Sequence, residues 1–224
     1  MATKHKKTGE ALSLDVQLSR SEAFIEKNLK TILICLGVIV LIGIAIWGWS
    51  RYAASREAKA QVAIAVCQQA FAQGAYDRAL NGDSISLRGF IGVIEDYGGT
   101  KTANLAKLYA ALCHANLGQT QEAIDQFEAF KDKGDQLVSP AAKAALANCY
   151  ADNGDTQKAA DLFVKAAKQA DNTTVSPYCL LQAGILYESL GQPEKALPLY
   201  QQIKDKYFRS SLANDIDKYI ERTK

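Results

Sequence analysis

The chain has 224 residues, and its 26 Lys plus Arg nearly balance 24 Asp plus Glu, leaving a formal net charge of only +2. Residues 51–224 carry twenty charges of each sign, and no basic stripe interleaved with aromatics runs through them. Nucleic acid is therefore not an expected partner. That neutral stretch is long enough to bury a core of its own as one domain.

The first thirty residues form a tail of mixed sign whose basic members are Lys4, Lys6, Lys7, Arg20, Lys27 and Lys30. Leu12, Leu14, Val16 and Leu18 alternate along it, a pattern suited to pairing, docking or an interface. Ser19-Arg20-Ser21-Glu22 has the spacing of a capping box, and Phe24, Ile25 and Leu29 follow on one helical face. A short amphipathic helix is expected to begin there and to lead into the next segment.

Residues 31–50, TILICLGVIVLIGIAIWGWS, contain no charge. In a helix they rise ~30 Å, the thickness of a bilayer's hydrocarbon core. A buried core helix rarely stays uncharged on every face over that length, and a cleavable signal has a shorter apolar region behind a short basic lead. The expectation is a retained transmembrane helix. Trp47, Trp49 and Tyr52 at its end suit the headgroup level. The basic tail outweighs Arg51, Arg56 and Lys59 beyond the run, so a cytoplasmic N-terminus and an exported domain over residues 51–224 are expected. Gly37, Gly43 and Gly48 lack the four-residue spacing of a helix-dimer motif. With Trp47 they are the candidate positions for packing against another membrane helix.

Beyond the run, Gly118, Gly154 and Gly191 recur 36 and 37 residues apart, each between two patterns of helical period. Small residues follow five positions later (Ala123, Ala159, Ala196) and rings nine positions later (Phe127, Phe163, Tyr200). Seven positions before each glycine stand Ala111, Ala147 and Gly184, and four before it His114, Tyr150 and Tyr187. Small residues where two helices touch, with a ring filling the gap, describe antiparallel helix pairs stacked in a row. YADNGDTQKAADLFVKA and YESLGQPEKALPLYQQI resemble tetratricopeptide repeats from the first helix through the turn into the second. The customary first-helix tryptophan and closing proline are missing, with Lys107, Lys143 and Leu180 at the tryptophan position. An earlier unit is expected from residues 53–71 and Gly74-Ala75-Tyr76-Asp77-Arg78-Ala79, interrupted by NGDSISLRG before a helix near residues 90–97. Residues 211–222 are expected to form a closing helix that shields the end of an all-α solenoid of about four pairs.

No catalytic constellation, metal-ligand spacing or cofactor motif is present. His5 lies in the tail, and His114 takes the place of a packing ring. Asp96-Tyr97-Gly98-Gly99-Thr100 lacks the Gly-Lys-Ser/Thr ending of a phosphate loop, so a turn is expected. Cys35, Cys67, Cys113, Cys149 and Cys179 are too widely spaced for a zinc knuckle. Cys113 and Cys149 occupy equivalent repeat positions one helix spacing apart, too far for a disulfide, and all five read as small apolar residues.

The repeat resemblance places a partner groove on first-helix positions. They map to Leu105, Leu108, Leu112, Asn116, Ala141, Ala144, Asn148, Asp152, Tyr178, Leu181 and Ile185. Repeats that clamp chaperone carboxylate tails carry Lys, Asn and Arg there; this set has no Lys or Arg. The apolar groove is expected either to take a partner segment or to be filled by the chain's own helix over residues 53–71, with self-filling the favoured reading.

A short basic tail, one span and degenerate repeats together resemble the ancillary Sec translocon subunit family of bacterial inner membranes. The resemblance runs from about Leu18 to Lys224. LSRSEAFIEKN and LNGDSISLRGFIGVIEDYGGTKTANLAKLYAA are especially similar to the version in Bacteroidetes-type bacteria. It implies a non-enzymatic subunit near the protein-conducting channel, with periplasmic repeats. It also implies partnership with Sec translocon subunits and a membrane-anchored periplasmic prolyl-isomerase-type chaperone. An envelope or cell-division coordinator and a cytosol-facing anchored import receptor are the competing readings.

Overall fold

A computed structural model describes the backbone of residues 6–83 and 87–223, with side chains from residue 27 onward. The described residues are helical with no strand, and the chain divides into two compact units after Ser55. Helix α1, Lys6–Ala72, starts well before Ser19, so the capping-box spacing there does not mark a helix start. Extending an existing helix costs far less than nucleating one, and the leucine-rich stretch ahead of Ser19 has good helix propensity. The side chains of Leu12 to Ile25 and all of His5 lie outside the described residues.

In the first unit every side chain from residue 31 to 50 is exposed, and this is a helix long and apolar enough to cross a membrane. The Trp49 and Tyr52 rings lie 6.4 Å apart at its end.

The second unit is a stack of helix pairs. The end of α1 pairs with a second arm in two pieces, α2 (Tyr76–Asn81) and α3 (Gly89–Asp96). Pairs α4 (Lys101–Asn116) with α5 (Thr120–Ala129), α6 (Val138–Asp152) with α7 (Thr156–Ala170), and α8 (Ser176–Ser189) with α9 (Pro193–Lys206) follow. The interruption expected at NGDSISLRG is the break between α2 and α3. Asp83 closes it by accepting from Leu87 N at 2.9 Å, while Asp83 N donates to Leu87 O at 2.8 Å.

One turn reverses the chain inside every pair. Gly74, Gly118, Gly154 and Gly191 have φ of 75°, 74°, 88° and 69°, and the residue after each donates its N–H back across the glycine. Ala75, Gln119, Asp155 and Gln192 bond the carbonyls of Ala70, His114, Tyr150 and Tyr187 at 3.1, 2.9, 2.8 and 2.9 Å. This satisfies helix-end carbonyls in a left-handed turn that only glycine adopts cheaply.

Behind the turns, the small residues let paired helices approach and the rings fill what is left. Ala111, Ala123, Ala147, Ala159, Ala196 and Tyr200 are all fully buried. Phe127 and Phe163 are buried beside them. Burying a ring of this kind is worth about 2–3 kcal/mol. In the last pair the exchange is tightest, because a Cβ built on Gly184 would lie 2.3 Å from Tyr200 Cε1. Glycine there and tyrosine opposite are one packing decision.

The stack ends in two short pieces rather than the single helix expected over residues 211–222. A 3-10 turn, Ser211–Asp215, precedes α10, Asp217–Arg222. Asn214 and Asp215 favour local turns over helix interiors, and the Ser210 hydroxyl caps Leu212 N at 3.3 Å. The cap still covers the core, burying Ile216 and Ile220, and Arg222 grips Glu188 at 2.7 and 3.0 Å.

Gly184→Ala is expected to destabilise the repeat unit by about 1–3 kcal/mol through overpacking, lowering its thermal midpoint by several degrees. An unchanged midpoint in calorimetry would place the Tyr200 ring elsewhere.

Candidate partner-binding groove

Side-chain caps set where each first helix starts. Glu57, near the end of α1, accepts from Lys101 N at 2.8 Å, Thr102 N at 3.1 Å and the Thr102 hydroxyl at 2.6 Å. Thr100 Oγ1 accepts from Ala103 N at 3.0 Å on the same end of α4. The Gly98–Gly99–Thr100 segment is thus a turn whose helix terminus is already occupied by a carboxylate, an arrangement the helix dipole favours. Asp135 does the same for α6, accepting from Leu137, Val138 and Ser139 N–H groups and from the Ser139 hydroxyl. Asn172 Oδ1 accepts from Thr174 N and Val175 N at 2.9 and 2.8 Å ahead of α8.

Burial alone would raise the Glu57 pKa, but the bonds from Thr102 and Lys101 outweigh it and hold the carboxyl below its ordinary value. Asp135 follows the same pattern, with burial opposed and overcome by Ser139, Leu137 and Val138.

Across neighbouring pairs, tyrosines reach carboxylates. Tyr150 donates to Glu128, Tyr187 to Asp161 at 2.6 Å, and Tyr200 to Glu188 within its own pair. Burial, then the bond to Asp161, pushes the Tyr187 phenol up to about 12. His114, at the position of Tyr150 and Tyr187, is half-buried rather than a core ring, with Nδ1 2.7 Å from Gln119 Oε1. Glu57, Glu128, Asp135, Asp161 and Glu188 therefore serve as structural acceptors. Among the described residues no cluster of His, Cys, Asp and Glu is arranged to hold a metal ion.

The eleven candidate groove residues divide by environment, with Ala141 exposed and Ala144 buried. Leu105 packs beside the α1–α4 core, while Leu108 and Leu112 join a cluster built from α4, α5, α6 and α7. Ile185 is half-buried and Leu181 is buried, both in the core of the last two pairs. Asn116, Asn148 and Asp152 are exposed, as is Tyr178, whose ring stands edge-on to Phe163 at 6.2 Å. The end of α1 does not fill a groove over Leu108 and Leu112. Its Ile64, Cys67 and Ala70 pack with Ala106, Ala110 and Cys113 as the first helix of the first pair.

An open recess of about 750 Å³ lies elsewhere, walled by Leu146, Leu162, Leu190 and Tyr150, with Lys158 and Lys165 at its edge. None of the eleven candidates lines it. Lys158 Nζ sits 3.7 Å over the Tyr150 ring and 3.7 Å from Glu128 Oε1. A first-helix rule misses this recess because most of its wall comes from second-helix and turn residues. The signal was Leu146, eight positions before Gly154, where the neighbouring pairs have Ala110 and Ala183.

In the membrane-type segment, a Cβ added at Gly37, Gly43 or Gly48 would meet nothing within 4 Å, and Trp47 is 68% exposed. All five cysteines are free; Cys67, Cys113, Cys149 and Cys179 are buried and Cys35 is exposed. Burial pushes the Cys113 and Cys179 thiols up to about 12, with Cys67 adding to the effect at Cys113.

The fold is a solenoid of helix–turn–helix repeats preceded by a long apolar helix. The family model described as a Tetratricopeptide repeat-like domain matches residues 22–170, and a Tetratricopeptide repeat matches residues 178–207. The chain belongs to the tetratricopeptide repeat-like domain family. No curated protein matches it. Two crystal structures of a Podosopora anserina protein, described as a kinesin light chain with nearly identical TPR-like repeats, share the fold. Each has a TM-score of 0.57 over 75% of this chain, at 16% and 17% identity and covering 85% and 86% of those chains.

Both capping carboxylates sit below their unfolded pKa values, so their contribution to stability is complete above ~pH 4.3 and is lost as pH falls through the lower folded values. An acid titration of stability should therefore be flatter in the Glu57→Gln/Asp135→Asn double variant than in the parent. Identical slopes below ~pH 4.3 would mean that neither cap is formed.

Proposed function

We propose that this chain is a membrane-tethered, non-enzymatic interaction scaffold, an ancillary subunit of the Sec translocon. In this reading residues 31–50 cross the bacterial inner membrane with the N-terminus cytoplasmic. The repeats face the periplasm and dock a membrane-anchored prolyl-isomerase-type chaperone near emerging chains. The observation that carries it is the extent of the family match. It begins at residue 22 and runs through the uncharged segment into the repeats, which supports reading that segment as a retained anchor. Helical repeats of this class supply protein-binding surfaces, and an anchor raises the effective concentration of whatever they hold.

Free thiols argue against an oxidising compartment, and burial of four of them removes that objection to the exported placement. Unpaired cysteines sit poorly in an oxidising compartment when exposed, but buried thiols with raised pKa values supply little thiolate for oxidation. The candidate contacts divide by environment. Gly37, Gly43, Trp47 and Gly48 would meet a channel helix, and the exposed Asn116, Asn148, Asp152 and Tyr178 with the flanking leucines would meet a soluble partner.

Affinity purification of the full chain from solubilised membranes is expected to recover Sec components and a periplasmic chaperone. Recovery of division or cell-wall proteins alone would instead support the coordinator reading. For topology, an exposed thiol introduced by Ser211→Cys should react with a membrane-impermeant maleimide in intact spheroplasts, the four buried native thiols staying silent. Reaction only after lysis would place the repeats in the cytosol and favour an import receptor.

A further inference from the structure

We propose that a three-lysine recess at the first repeat junction binds the phosphate groups of anionic membrane lipids. The proposal rests on the membrane-tethered reading above.

The recess holds about 210 Å³ and is lined by Lys107, Lys131 and Lys133 with Gly98, Gly99 and Asn104. No carboxylate lines it. The acids around it are engaged elsewhere. Glu57 caps α4, Asp96 takes a two-point bond from Arg88 at 3.0 and 2.8 Å, and Asp132 is held by Lys143, Gln169 and Gly134 N. The three ammonium groups are therefore not neutralised locally. Lys107 spends one of its three donors on Ala129 O at 3.2 Å, and neither Lys131 nor Lys133 has a side-chain ion pair among the described residues.

The backbone that carries Lys131 and Lys133 is also held in place. Asn104 holds the Lys131 backbone at both ends, donating to its carbonyl at 2.9 Å and accepting its N–H at 2.8 Å. Lys133 N donates to Ser139 Oγ at 3.1 Å. A backbone held in place removes part of the ordering cost of gathering three cations on one anion.

Chain length makes the lipid the favoured source of that phosphate. Arg56 donates to the carbonyls of Asp96 at 2.8 Å and Gly98 at 3.3 Å, and Gly98 lines the recess. Arg56 is six residues beyond Ser50, the end of the uncharged run. Even fully extended, that link is no longer than ~20 Å. Lys59 follows Arg56 on α1 and adds cationic charge to the start of the repeat unit.

The test uses the full chain reconstituted into vesicles of phosphatidylcholine alone or of phosphatidylcholine and phosphatidylglycerol in equal parts. Amine labelling of Lys107, Lys131 and Lys133 is read by mass spectrometry. Labelling should slow roughly fivefold in the anionic vesicles, the factor expected for about 1 kcal/mol per lysine, and the difference should vanish at ~1 M salt. In Lys131→Gln/Lys133→Gln, Lys107 should lose its protection. Equal labelling in both vesicle types by a chain that floats with both overturns the proposal and leaves the tether reading standing. Protection of Lys107 that survives in the double variant overturns it as a general surface effect. Protection by inorganic phosphate in detergent, with none from anionic vesicles, overturns the lipid as its source. A chain that floats with neither vesicle overturns the tether reading and this proposal with it.

Discussion

Everything in the repeat unit depends on reversing the chain in two residues without stranding backbone polar groups. The glycine turn does this four times with one geometry, a positive φ and an N–H returned across the helix end. With the direction of each second helix fixed, close approach is set by side-chain size. Alanines occupy contact points, in the last three pairs a ring fills the gap, and where the ring is Tyr200 the facing residue must shrink to Gly184. The repeats tolerate missing signature residues because this turn-and-ring unit is retained.

That unit is legible in the sequence because it leaves a period. Gly118, Gly154 and Gly191 with their alanines and rings locate three helix pairs, and the Gly74 turn with its interrupted second arm locates another. What was not legible has physical causes. The start of α1 is hidden because a capping-box pattern also occurs inside a continuing helix. The broken cap at residues 211–222 depends on Ser210, Asn214 and Asp215 preferring local turns, an effect smaller than the apolar pattern that suggested one helix. The recess around Leu146 and Leu162 is shared between a first and a second helix, so no rule confined to first-helix positions finds it. Glu57 capping α4 joins residues far apart in sequence and has no local signature.

The same contacts bear on chemistry. Glu57 and Asp135 cap helices, Glu128, Asp161 and Glu188 receive tyrosine hydroxyls, and the repeat-unit thiols are buried with Cys113 and Cys179 at raised pKa values. These particular carboxylates, hydroxyls and thiols are bound into packing and turns. A structure whose polar groups hold helices in register, beside exposed asparagines, leucine-walled recesses and free lysines, is suited to holding other molecules.

Where that holding takes place depends on residues 31–50. They are exposed on every side, and the proposed reading has lipid or another helix cover them. Alkaline extraction of membranes containing the full chain tests this most directly, in parallel with a Val40→Lys/Leu41→Lys variant that adds about 5–7 kcal/mol to the cost of insertion. The account predicts that the parent chain stays with the membrane pellet and that the variant moves to the soluble fraction. Release of the parent chain at high pH would contradict it.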